Sequence, residues 1–163
     1  MRTIFIGALL FFFSNAHAQG YLRNNEMSIF SFHTQGGKYV MLAKDKDDAY
    51  IVYRYGTRDS IEFEYPEKNK DSWKKFKYSY YLRGGGAKNE GMDLNYLYFT
   101  NNGYKYSIYD TYYAVNNRSA VGISVTNLKT NKTIDIKGAG NTRKGTMTDF
   151  RNNNLVEVIE SDQ

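Results

Sequence analysis

Beyond residue 20 the chain alternates apolar and polar residues with a period of two, in short runs separated by Gly, Asn and Asp. Successive side chains of a strand point to opposite faces, so such runs make strands with one buried and one wet face. No apolar stripe of helical period appears there, and many short alternating runs punctuated by turn residues read as a β-sandwich or barrel. The pattern predicts strands near 28–33, 38–44, 49–55, 60–65, 73–83, 94–100, 104–113, 120–127, 132–137 and 155–160.

The connectors are short: Gln35-Gly36-Gly37, Asp45 to Asp48, Gly56 to Asp59, and Asn101-Asn102-Gly103. An Asn-Gly pair tolerates positive φ at both central positions, which makes 94–100 and 104–113 the firmest hairpin. Lys129-Thr130-Asn131-Lys132 is a second expected turn. Short connections favour hairpins over crossovers, so the expected fold is all-β, an antiparallel meander of about 8–10 strands forming a small sandwich or barrel. Within 60–65, Ile61, Phe63 and Tyr65 are expected on one face, with Glu62 and Glu64 on the other. In 132–137, Ile134 and Ile136 oppose Thr133, Asp135 and Lys137. The run 49–55 is apolar on both faces apart from Arg54, as a central strand would be.

The N-terminus follows another rule. Met1-Arg2-Thr3 is followed by the apolar run Ile4 to Phe13 and then by Ser14-Asn15-Ala16-His17-Ala18. A basic start, about ten apolar residues and a small-x-small exit describe a secretory signal peptide. The run falls short of the roughly 20 residues that a spanning helix needs. Residues 1–18 are therefore expected to be cleaved after Ala18, leaving 19–163 as one exported domain, periplasmic or secreted and not embedded in a membrane. All 16 Tyr lie beyond residue 18, whereas four of the 10 Phe (5, 11, 12 and 13) lie within the leader.

Composition narrows the chemistry. The absence of cysteine removes disulfides, thiolate metal sites and cysteine nucleophiles. His33 is the one histidine beyond the leader, and no Gly-x-Ser-x-Gly elbow or phosphate-binding glycine motif occurs. No cofactor, metal or catalytic residue is expected. The remaining catalytic option is a carboxylate pair, Glu62 with Glu64, and a solvated strand face is the better explanation of both.

Two segments point to binding. In Arg83-Gly84-Gly85-Gly86-Ala87-Lys88-Asn89, three consecutive glycines let the backbone bend sharply or approach a partner closely. Their N–H groups, with Arg83, Lys88 and Asn89, could form an anion-friendly concavity. In 73–83, Phe76, Tyr78, Tyr80 and Leu82 are expected to face the core, leaving Trp73, Lys75, Lys77, Tyr81 and Arg83 on the opposite face. Aromatics interleaved with cations suit stacking on sugars or gripping an acidic protein surface. Tyr109 and Tyr113 share one face of 104–113, while Tyr104, Tyr106, Ile108 and Tyr112 share the other. Both faces cannot be core unless the strand is sandwiched. The expectation is a non-enzymatic, tyrosine-rich binding protein: an inhibitor or immunity protein that neutralises a protein partner with an acidic surface, such as an envelope-targeting toxin or a lysozyme. The alternative is a carbohydrate- or envelope-binding module that takes an anionic glycan. A net charge of +5 would also suit nucleic acid, which an exported protein seldom meets.

Overall fold

The computed structural model describes residues 21–160. The proposed leader and its cleavage site lie outside the described residues. The strands, in chain order, are β1 (Glu26–His33), β2 (Tyr39–Asp45), β3 (Ile51–Thr57), β4 (Ser60–Tyr65), β5 (Phe76–Arg83), β6 (Met92–Asn101), β7 (Tyr104–Tyr113), β8 (Arg118–Asn127), β9 (Thr133–Lys137), β10 (Lys144–Gly145) and β11 (Glu157–Val158). They form two sheets, ordered β10-β1-β2-β3-β4 (sheet I) and β11-β5-β6-β7-β8-β9 (sheet II). Within each sheet the long strands are consecutive and antiparallel, so the fold is a meander folded into a β-sandwich, not a closed barrel. No described helix is long and apolar enough to cross a membrane.

The hairpin expected at Asn102-Gly103 forms with both residues at positive φ, 47° and 79°, as a two-residue turn matched to strand twist requires. The core between the sheets comes from alternate residues of both: Phe30, Phe32, Leu42 and Tyr53 from sheet I, and Phe76, Leu97, Phe99, Ile108 and Ile123 from sheet II. On β7, Tyr106 and Ile108 therefore face inward, Tyr104 and Tyr112 share their phase but stay exposed at the strand ends, and Tyr109 and Tyr113 face out.

Several expectations change. Residues 73–75 are not strand: a 3-10 helix runs over Lys70–Lys75, with the Asn69 side chain accepting from the Asp71 N–H as N-cap. Trp73 is thereby turned into the core, where it is 5% exposed and donates its indole N–H to the Asp48 carbonyl at 2.9 Å. Residues 155–160 contribute only the two-residue β11, parallel to β5. In β4, register shifts beside Tyr55 and Gly56, so that Phe63 pairs with Tyr55 and Ile61 with Gly56, leaving Glu62 as an extra residue. A bulge of this kind reverses the side-chain phase. Phe63 and Tyr65 enter the main core, whereas Ile61 joins Tyr21, Met41 and Val52 on the outer side of sheet I. Gly56 permits the bulge, because a Cβ there would sit 2.1 Å from the Ser60 carbonyl oxygen.

Arg54, the one cation of β3, is fully buried and held by Glu26, itself buried, through contacts of 2.5 and 2.7 Å. Sheet II is the longer sheet. Past the edge of sheet I its inner face is covered by the C-terminal segment, through Met147, Phe150, Arg143 and Arg151. Tyr80 and Leu82 lie at this end and stay 37% and 59% exposed, which corrects the expectation that they are core.

Candidate functional site

The register of sheet II places a continuous set of side chains on its outer face. Directly opposed neighbours form rows across the strands: Lys77–Tyr98–Ser107–Ser124–Asp135, then Ser79–Tyr96–Tyr109–Gly122–Lys137, and at the far end Arg83–Met92–Tyr113–Arg118. Tyr81 lies between the last two, opposite Leu94. Five tyrosines, Tyr81, Tyr96, Tyr98, Tyr109 and Tyr113, therefore share one sheet face. All five are half-buried, and none belongs to either hydrophobic cluster of the fold.

Neighbouring strands order the rings. Tyr96 and Tyr98 lie two residues apart on β6 and stack at 6.2 Å with 15° between planes. The Tyr109 ring covers Gly122 on β8, where a Cβ would meet its hydroxyl at 2.2 Å, and it donates to Asp135 at 3.0 Å. Here glycine is required: the aromatic ring fills the space that a side chain would occupy. Lys105 sits 4.5 Å over the Tyr98 ring and Arg118 5.3 Å over that of Tyr113. Such contacts hold the cations against the aromatic surface while their charge stays available to a partner.

The face stays positive. Lys105, Arg118 and Lys137 form no ion pair among the described residues, whereas Lys77 meets Glu157 at 3.3 Å and Arg83 meets Glu90 at 3.5 Å. Burial raises the Tyr109 hydroxyl, helped by its bond to Asp135, to about 12. Burial also raises that of Tyr96. Tyr96 and Tyr109 therefore remain neutral hydrogen-bonding tips, and the charge of the surface comes from its lysines and arginines.

Of the residues singled out in the sequence, Lys77, Tyr81 and Arg83 lie on this face. The loop after Arg83 adjoins its far rim: the Ala114 N–H, just past Tyr113, donates to the Gly91 carbonyl. Gly85 and Gly86 have positive φ, 90° and 62°. The loop closes on itself, with the Asn89 amide donating to the Gly84 carbonyl and the Gly91 N–H to that of Gly86. Asn89 is thus a brace of the loop, while Lys88 and the three glycines are exposed. Trp73 and Lys75 are elsewhere, on the 3-10 helix before β5, and the buried Trp73 offers no stacking surface. Tyr96, Tyr98, Lys105 and Arg118 complete the face and were not chosen from the sequence. Their signal was present: even positions of β6 alternate with Leu97 and Phe99, which are core.

Glu62 and Glu64 are held in separate ion pairs. Glu62 meets Lys38 at 2.5 Å, and Glu64 meets Arg54 at 2.6 Å and Lys68. Among the described residues no group of three or more His, Asp or Glu could hold a metal ion. A separate polar cleft holds Asp93, Asn95 and Asp110, each engaged by Arg143 or Arg151 of the C-terminal segment or by one another.

Compared with protein-family models, curated proteins and solved structures, the chain matches none of them.

Proposed function

We propose that this chain is an exported, non-enzymatic recognition protein that grips an acidic protein surface with the outer face of sheet II. The observation that carries the reading is the face itself: a ten-residue-deep antiparallel sheet with five tyrosines, three cations without ion-pair partners among the described residues and one carboxylate, Asp135, already engaged by Tyr109. Tyrosine gives large contact area at low rotamer cost, and arginine and tyrosine dominate the energetics of interfaces. Flat strand-borne rings are rigid before binding, which reduces the entropy lost on association. The apolar-in, leader-first sequence supports export, and a partner neutralised outside the cytoplasm, as by an inhibitor or immunity protein, is the role that fits.

The parallel rings of Tyr96 and Tyr98 favour a second reading, a platform for an anionic glycan, since stacking is indifferent to sequence and suits planar or ring-shaped ligands. The two readings separate in one experiment. The purified chain and its Tyr81→Ala/Tyr113→Ala/Arg118→Glu variant are immobilised and exposed to envelope extracts and to soluble anionic glycans, with Lys70→Ala as a control. A stoichiometric protein complex retained by the parent and control but lost by the triple variant supports the first reading. Retention of glycan alone moves the assignment to the second, and equal retention by all three proteins removes the face from the account.

A further inference from the structure

The free edges of the two sheets are treated differently. The β1 edge is covered by β10, the start of β5 by β11, and β4 is interrupted by the Glu62 bulge. β9 has none of these: it pairs with β8 in unbroken register over Thr133–Lys137 and ends sheet II. Hydrogen bonds from Asn127 N–H to the Lys132 carbonyl and from Gly138 N–H to the Val121 carbonyl set the phase of the ladder. Ile134 and Ile136 therefore use their backbone groups on β8, and those of Thr133 and Asp135 point away from the sheet. The next carbonyl outward, that of Lys137, is taken by the Gln35 N–H.

This edge borders an apolar slot. Ile134 is 68% exposed, the most of any large hydrophobic among the described residues. With Ile136, Val125, Tyr106, Phe63 and Tyr55 it lines a cavity of ≈ 320 Å³ opening between the sheets. The surrounding charge is one-sided: Lys129, Lys132 and Lys137 are exposed against the single carboxylate Asp135, which Tyr109 engages. Exposed regular edges invite pairing with another strand and are usually blocked.

We infer that β9 accepts an added strand from a partner polypeptide, an extended segment with apolar side chains at alternate positions and carboxylates between them. Its backbone pairs with the outward groups of Thr133 and Asp135, its apolar side chains enter the slot beside Ile134, and its carboxylates fall on the other face, within the positive field set by the surrounding lysines. Strand addition divides the work in this way, main chain for affinity and alternate side chains for specificity. The site is distinct from the tyrosine face, since Ile134 and Ile136 point to the opposite side of the sheet.

The probe is a synthetic eight-residue peptide alternating leucine with aspartate and threonine, compared with a counterpart carrying lysine in place of aspartate. Amide exchange and methyl shifts of the purified chain are followed by NMR. The acidic peptide is expected to slow exchange at Thr133 and Asp135 and to shift the Ile134 and Ile136 methyls. The lysine peptide and the Asp135→Pro variant, which loses an outward N–H but no bond to β8, are each expected to bind at least about tenfold more weakly. Asp135→Asn controls for the bond from Tyr109, and Ile134→Asp tests the slot should the proline variant fail to fold. The inference is overturned if neither peptide slows those amides at millimolar concentration, or if the acidic peptide shifts Tyr96 and Tyr98 in their place. Slowing that appears without peptide and grows with protein concentration also overturns it, because the occupant is then a second copy of the chain.

Discussion

Arg54 and Glu26 form a bidentate ion pair with both side chains fully shielded from solvent, joined from the side by the Tyr50 hydroxyl at 3.0 Å. Burial alone would raise the Glu26 carboxyl. The Arg54 guanidinium, the Arg23 N–H and the Tyr50 hydroxyl outweigh it and hold Glu26 near 2, below the ordinary 4.5. A carboxyl depressed on folding stabilises the native state above its unfolded value and loses that contribution as pH falls towards its folded one. Urea midpoints should accordingly fall between pH 4.5 and about 2, and Glu26→Gln should flatten that decline. Arg54→Met should cost about 3–5 kcal/mol at pH 7, because it strands a buried carboxylate.

Asp110 has the opposite sign. Burial raises its carboxyl above the ordinary 3.8, and Arg143 compensates only in part. A raised carboxyl disfavours the folded state at neutral pH and is relieved on acidification. Asp110→Asn, which keeps an acceptor for Arg143, should raise stability at pH 7 and steepen the acid decline. A flatter decline in that variant would contradict the assignment.

Gly122→Ala should destabilise by about 1–3 kcal/mol, since its Cβ overpacks a filled site. The new methyl meets the Tyr109 hydroxyl and, at 2.7 Å, the Ile136 carbonyl oxygen. Displacing Tyr109 breaks its bond to Asp135, so an ultraviolet titration should show one tyrosine moving down from about 12.

The single tryptophan is a core reporter. Emission from Trp73 should be blue-shifted, shielded from acrylamide, and unchanged when a partner occupies the outer face of sheet II. Trp73→Ala should cost about 3–5 kcal/mol, as large aromatic deletions in cores do. A quenching of its emission on partner binding would place the interface at the helix before β5.

The triple glycine is not uniform. Gly84 meets nothing at its missing Cβ and has no positive φ, so Gly84→Ala should change stability by less than ~0.5 kcal/mol. Gly85 combines φ of +90° with a Cβ position 2.7 Å from that of Asn89. Gly85→Ala should raise amide exchange across 84–91 by opening the brace from Asn89 to Gly84.

Local rules carried much of the reading. Alternation, turn residues and short connectors determined the all-β class, the meander order, nearly every long strand and the Asn102-Gly103 turn, because strand phase and turn dihedrals depend on residues only a few positions apart. Alternation also divided Tyr109 from Tyr106 on β7. It could not say which face would be covered, since that depends on the length of sheet I against sheet II. The same limit misplaced Tyr80 and Leu82, which are apolar in phase but lie beyond the end of the facing sheet.

Other features came only from contacts distant in sequence. Asn69 caps the helix over Lys70–Lys75 locally, but the burial of Trp73 depends on Asp48, 25 positions away. Nothing local assigns Glu26 to Arg54 across 28 positions, or reverses Ile61 through a bulge that Gly56 makes room for. The sequence by itself determined a tyrosine-rich antiparallel meander with cations interleaved on its strands, and the structure folded it into a sandwich. Which tyrosines form a surface, and which edge is left open, only the tertiary structure decided, because burial is a property of what packs against a face and not of the strand that presents it.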